Sequence, residues 1–427
     1  MVKAKLHREL TLWDATFYGV GIILGAGIYA LIGTGAGIAG NMLWLSFIIA
    51  ALIASFTGLS YAELSSMYPR EAAEFVYTKK AFGCNMLAFL VEWVMIFAAI
   101  ISVATVAFGF AGYFTHLFGG DIMWTATMLV IALSVLNFIG IKESARFNTI
   151  ATLIEAGGLV LVVIVGLFFI GNTNVDYFEL PTGVGFHGIL MATALIFFAY
   201  IGFEDVANIA EEVKNPARIV PKALVLALAI STVLYILVAI AAIGITGWEK
   251  LSASKAPLTD VVTHAIPQAS LLMSVIALFA TSNTVLIMLI VCSRMLYGMS
   301  SQHSLPKALS KIHPKHGTPY VSVAVVGLLS IGSLILGKNI KTVALLTDLG
   351  IFIAYFFVNL SLLVLRYRVK DSKRPFKVPG NIGKFSVLAF LGVVTCGLML
   401  FYFEKELMMF EVVLIAVGAI VYKAFNR

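Results

Sequence analysis

Long, nearly uninterrupted apolar runs are the feature that most restricts this chain. They fall at about 12–38, 42–67, 86–114, 122–140, 147–170, 187–210, 219–246, 268–297, 319–336, 342–365, 385–403 and 407–424, divided by short polar stretches. Backbone groups in lipid must pair within their own segment, so apolar runs of about 20 residues read as membrane-spanning helices. A membrane barrel would instead show ten-residue segments of alternating polarity. Of the 427 residues, 60% are apolar and 12% charged, with a mean hydropathy of +0.99. Average soluble domains carry about 25% charged residues, and a soluble globule has no means of covering this much apolar surface. The connections leave no length for a separate catalytic domain. The chain reads as one all-α polytopic membrane domain over residues 1–427, with about twelve transmembrane helices. Its opening run, MVKAKLHREL, is basic, but the apolar stretch behind it is too long for a signal peptide and carries no cleavage pattern. Cys84, Cys292 and Cys396 are scattered and make no readable disulfide or metal framework.

Charge sets the expected orientation. With the N-terminus placed in the cytoplasm, all 29 lysines and arginines fall on the inner side except Lys250, Lys255, Lys338, Lys341 and Lys405. Both termini are then cytoplasmic, in a multi-pass protein of the cell membrane. The net charge of +7 is explained by this asymmetry and calls for no nucleic acid partner; membrane lipid is the surrounding partner.

Two spans are irregular. The first reads YGVGIILGAGIYALIGTGAGIAG, and each glycine costs a helix interior up to about 1 kcal/mol against alanine. Close helix packing accounts for Gly33 and Gly37. The denser cluster from Gly21 to Gly27 is better explained by an unwound segment, which is tolerated at mid-membrane only around a cavity. The sixth span, ALIFFAYIGFEDVANIAEEV, places Gly202, Glu204 and Asp205 inside an apolar run. A break at Tyr200–Phe203 would set these groups beside the same cavity. Interrupted helices at matching positions in two five-span halves point to an inverted-repeat transporter. The halves would be 12–170 and 187–365, with 385–424 as two additional helices.

Glu92, Glu155, Glu204, Asp205, Asp348 and Glu411 fall in or near spans, with no lysine or arginine deep in any. Each such acid costs about 2.5–3.5 kcal/mol at a helix centre. A chain that keeps several of them without basic partners is suited to cations, protons or ammonium groups. Glu411 lies near a span end, and Glu92 and Asp348 also fit simple hydrogen bonds to neighbouring helices.

Several segments resemble the amino acid–polyamine–organocation (APC) transporters: GIILGAGIY (21–29), SYAELSSMYPREAAEFVY (60–77), NFIGIKESARFNTI (137–150), FFAYIGFEDVANIAEEVKNPARIVPKA (197–223) and TSNTVLIMLIVCSRMLYGMSSQHSLPKALSKIHPKHGTP (281–319). The likeness spans roughly residues 10–370 and is nearest to prokaryotic amino acid permeases. It implies a LeuT-type five-plus-five inverted repeat with spans one and six unwound around an amino acid. Two departures stand out. Ala72-Ala73 occupy the place of a family Gly-Gly pair, and Glu155 stands where a proton-coupled branch carries a lysine.

On this frame the break at Leu24–Ile28 frees N–H groups at the start of a half-helix, which suits a carboxylate. Gly25, Ala26 and Gly27 let the backbone approach closely, with Ile28 following. The ammonium is expected at the carbonyls of Ile22, Ile23, Phe198, Ala199 and Ile201, beside Gly202. Phe198 matches a gating aromatic of the family, and Glu204 is expected to hold a polar group of the substrate, a gate, or the break itself. Glu155 lies nine residues after Arg146, about 13 Å along the helix axis, and is the candidate proton carrier. Thr281 and Ser282, within the polar run Thr281–Thr284, are a candidate sodium site, or are back-bonded to their own helix.

These features predict secondary active transport of an amino acid by alternating access, coupled to protons. The alternatives are an amino acid or polyamine exchanger, a sodium-coupled symporter, and a nutrient sensor built on the same fold. No catalytic constellation or cofactor is expected: the seven histidines lie mostly in loops without metal-ligand spacing.

Overall fold

The apolar runs become helices. The computed structural model describes residues 10–69, 72–168, 175–181, 183–208, 213–335, 340–369 and 374–425. In chain order the helices are α1 (Leu12–Leu24), α2 (Ala26–Ala39), α3 (Leu43–Met67), α4 (Ala73–Phe82), α5 (Asn85–Phe118) and α6 (Ile122–Ile139). There follow α7 (Ile141–Leu167), α8 (Gly185–Ile196), α9 (Asp205–Asn208), α10 (Pro216–Thr246), α11 (Trp248–Ala253) and α12 (Pro257–Ala265). The last are α13 (Ser270–Ser301), α14 (Tyr320–Leu334), α15 (Ile340–Arg368), α16 (Val387–Met399) and α17 (Lys405–Phe425). A two-residue hairpin, Asn381–Ile382 with Phe385–Ser386, precedes α16.

Among the described residues, nine helical segments are long and apolar enough to cross a membrane. Shorter apolar helices, Leu12–Leu24, Tyr320–Leu334 and Val387–Tyr402, accompany them. The protein is an all-α polytopic membrane protein. Of the sequence features considered above, Lys3, Lys5, Arg8, Arg70, Glu211, Glu212, Lys338, Lys370, Lys373, Arg427 and the span ends at 169–170, 209–210 and 336 lie outside the described residues.

The helix ends follow local chemistry. Thr11 and Asp14 form a capping box that opens α1, Asp121 accepts from the Trp124 N–H at 2.8 Å to open α6, and Pro216 and Pro257 stand in the first turns of α10 and α12. Large apolar side chains remain exposed on α6, α14 and α17, among them Met128, Val135, Leu328, Val412 and Ile420. Such a surface is unfavourable in water and suits lipid.

Inside, where dispersion between helices is no stronger than with lipid tails, polar contacts hold the helices in place. The Tyr113 hydroxyl of α5 donates to the Tyr29 carbonyl of α2 at 2.9 Å. The Tyr29 hydroxyl in turn donates to the Glu155 carbonyl of α7 at 3.0 Å. At one end of α3, buried Glu63 accepts from Arg366 of α15, from Arg374 at 2.6 Å and from the Val378 N–H at 2.8 Å. That carboxylate ties α3, α15 and the segment after α15 into one corner.

Candidate functional site

The two irregular spans are both broken, and the breaks meet. In the first, α1 ends at Leu24 and α2 begins at Ala26, with only Gly25 non-helical, at φ −32° and ψ −163°. The interruption is narrower than the glycine pattern predicts: Gly19 and Gly21 stay in α1, where helix packing explains them. A Cβ at Gly21 would stand 2.4 Å from Thr152 Oγ1 of α7, and one at Gly19 would stand 2.6 Å from Val206. In the sixth span, α8 tightens into a 3₁₀ turn over Phe197–Tyr200. Ile201 to Glu204 leave the helix and α9 resumes at Asp205. Gly202 adopts φ +109°, a conformation that side chains disfavour.

Close contacts join the breaks. A Cβ at Gly27 would lie 2.4 Å from Ala199 Cα, and a Cβ at Gly202 would lie 2.1 Å from Ile22 Cγ2. Glycine at both positions therefore permits backbone approach. The hydroxyl of Tyr235, on α10, donates toward the Ile23 carbonyl and lies 3.0 Å from the Ala199 carbonyl. Two of the carbonyls expected to meet an ammonium are thus bridged by one buried phenol. Sequence reasoning passed over Tyr235, which sits in an ordinary apolar run; its polar tip inside a buried helix was the available signal.

The remaining expected residues are distributed around this contact. Ile28, Phe198 and Ile201 are buried, as is Asp348 of α15. Glu204 turns back and accepts from the Gly202 N–H at 2.9 Å, with the Tyr355 hydroxyl close by. A cavity of about 20 Å³ adjoins Glu204, lined also by Met95, Ser102, Ile201, Met288 and Thr347. That volume holds about one water.

Glu155 is fully buried, and among the described residues neither carboxyl oxygen has a hydrogen-bond partner. The Tyr29 hydroxyl of α2 donates to the Glu155 main-chain carbonyl at 3.0 Å, which sets this residue against the helix that opens at the first break. On α13, Thr281 donates to the Ala277 carbonyl at 2.7 Å and Ser282 to the Phe279 carbonyl at 3.0 Å. Thr281 also faces Gly109 of α5. Thr284 is the α13 residue at the first break: a Cβ at Gly25 would fall 2.2 Å from its Oγ1. The Asn283 amide approaches Thr152 Oγ1 at 3.4 Å.

Comparison with known proteins places this geometry. Residues 10–418 match the protein family described as amino acid permease. The branched-chain amino acid permease BcaP of Bacillus subtilis is 31% identical, over 99% of this chain and 94% of its own length. The methylthioribose transporter of the same organism is 30% identical, with the same coverage. Cationic amino acid transporter 3, mitochondrial, of Arabidopsis thaliana is 30% identical over 87% of this chain and 64% of its own length.

Proposed function

The chain belongs to the amino acid permease family, and on that footing we propose that it is a proton-coupled symporter for an amino acid with an apolar side chain. The observation that carries this reading is the contact of two broken helices at Gly27–Ala199 and Ile22–Gly202. The N–H groups that open α2 suit the carboxylate, with the helix dipole adding to their pull. The Ile23 and Ala199 carbonyls, bridged by Tyr235, suit the ammonium, which brings three donors where the phenol has one. For substrate to enter, the breaks must separate and Tyr235 must release at least one carbonyl, which is the conformational step of alternating access. An apolar side chain agrees with Met95, Ile201 and Met288 beside the site and with the branched-chain substrate in the relative's name. The lysine and arginine asymmetry supports cytoplasmic termini.

Glu155 carries the coupling proton in this reading. It is buried and its carboxyl has no hydrogen-bond partner among the described residues, and its main-chain carbonyl accepts from Tyr29 of α2. Binding and release of a proton there would bias the arrangement of the two breaks. The competing ion is sodium, for which Thr284, the α13 hydroxyl at the Gly25 break, would be the ligand in place of the expected Thr281 and Ser282.

The test uses purified protein in liposomes, labelled leucine, lysine and methylthioribose, and proton or sodium gradients imposed separately. Leucine should accumulate under an inward proton gradient. Glu155→Gln should keep leucine exchange but lose accumulation and the pH dependence of uptake. Accumulation driven by sodium alone overturns the proton reading. Isoamylamine, which is leucine without its carboxylate, should compete poorly; equal competition overturns the carboxylate site at α2. Leucine binding without flux would favour a sensor.

A further inference from the structure

The short connector α4, between α3 and α5, buries an acid that neither transport nor coupling uses. Glu74 is fully buried, and its Oε1 accepts from the Tyr61 hydroxyl of α3 at 2.6 Å. A second fully buried acid, Glu92 of α5, accepts on Oε2 from the N–H of Phe75 at 3.0 Å. Glu92 is therefore bonded to the peptide nitrogen that directly follows Glu74 in α4. Among the described residues, Glu74 Oε2 and Glu92 Oε1 have no hydrogen-bond partner. Neither does the buried hydroxyl of Tyr77, which lies in the field of Glu74 and whose ring meets that of Tyr61 edge-on at 6.0 Å.

No basic side chain among the described residues pairs with either acid. Lys79 is exposed and lies over the Phe75 ring, 5.3 Å from its centroid. Arg368, at the end of α15, donates to the Ala81 carbonyl at 2.6 Å. Glu63 on α3 is held by Arg366 and Arg374. The other titratable groups near the pair are Tyr61, Tyr355 of α15 and Glu204 of the sixth span, and the last adds negative charge.

We infer that Glu74 and Glu92 form one proton-binding site, in which a single proton is shared between the two carboxyls. Two carboxylates in one dry place do not both ionise readily, and they titrate as a pair. The ionised member is served by the Tyr61 hydroxyl or the Phe75 N–H. The protonated member gains a donor toward the oxygens left over, directly or through a bound water. Burial pushes the Glu74 carboxyl above its ordinary range, with the Tyr61 hydrogen bond pulling the other way. Docked α4 therefore holds more protons than α4 exposed to water. Its docking is favoured at low pH and weakens as pH rises through the raised value. Tyr61 transmits this state to the broken span: its ring meets Phe203 of that span at 6.0 Å and Tyr355 of α15 at 5.7 Å. The site does not depend on the amino acid reading or on Glu155.

Infrared difference spectra of the full-length protein in liposomes at neutral pH test the shared proton. The double variant Glu74→Gln/Glu92→Gln should lose one protonated-carboxyl band, and neither single variant should lose more than that one. The result should repeat in a Glu155→Gln background. An additive double loss means two independent protonated acids and overturns the sharing. No band lost in the double variant means both acids are ionised, and the site is overturned. Hydrogen exchange over residues 73–82, corrected for the intrinsic pH effect, should accelerate at least tenfold at alkaline pH in the wild type and stay level in Glu92→Gln. Equal pH response in the two proteins overturns the link between this proton and α4.

Discussion

Gly27 and Ala199 touch backbone to backbone, so that a Cβ on Gly27 would fall 2.4 Å from Ala199 Cα and 3.1 Å from its nitrogen. The neighbour at fault is main chain, which has no rotamer to give. Gly27→Ala should force the two breaks apart at an overpacking cost of about 1–3 kcal/mol, and Gly27→Val should do more. In protein that still elutes as a single species, leucine uptake should fall at least tenfold. Wild-type uptake in Gly27→Val would show that substrate does not need this approach.

Tyr235 closes the same contact from α10, and the carbonyls of Ile23 and Ala199 share its hydroxyl. Tyr235→Phe leaves them without that donor in a buried place, a loss of about 1–3 kcal/mol. The substrate-free variant should melt at a lower temperature than the wild type. Saturating leucine should raise its melting temperature by more than in the wild type, because the ammonium restores the lost donor. An equal ligand shift in both proteins would place the ammonium elsewhere.

Ala72 occupies the left-handed region, at φ +52° and ψ +57°, where it precedes α4. This is a backbone conformation that glycine adopts without a Cβ penalty. A left-handed alanine costs about 1–2 kcal/mol, while glycine adds about 0.4–1 kcal/mol of unfolded-chain entropy. Ala72→Gly should stabilise the protein by roughly 0.5–1 kcal/mol by thermal or chemical denaturation. A destabilised variant would mean that the packing of the buried Ala72 methyl outweighs the strain.

Glu63 neutralises two buried guanidiniums, Arg366 and Arg374. Glu63→Gln leaves both without their carboxylate, and breaking a buried pair from one side costs about 3–5 kcal/mol. Sharply reduced yield or melting temperature is expected. Replacing Glu63 and Arg366 together by apolar residues should cost less than Glu63→Gln alone. If the single substitution is silent, the corner is not held by charge.

The breaks were legible because their causes are local. Gly25 and Gly202 lie in apolar runs where glycine has no cheap helical role, and Glu204 follows Gly202 closely enough to satisfy its freed N–H. Which residues face those breaks was not legible. Thr281, Ser282 and Thr284 are equivalent as letters, yet Thr284 meets Gly25 while Thr281 faces α5, because the rotation of α13 is set by its packing against other helices. Tyr235 reads as one more apolar-run residue until α10 brings its hydroxyl to two distant carbonyls.

Glu74 makes the same point from the other direction. In the sequence it belongs to a charged connector that would ordinarily be solvated, and only the packing of α4 against α5 and α15 buries it beside Glu92. The sequence by itself determined the membrane, the helices and the places where they break, since all three follow from the hydrogen-bonding needs of a backbone in lipid and from residues next to one another in the chain. The tertiary structure alone decided which polar groups meet, because those encounters depend on the rotation and depth of separate helices, which no local stretch of sequence encodes.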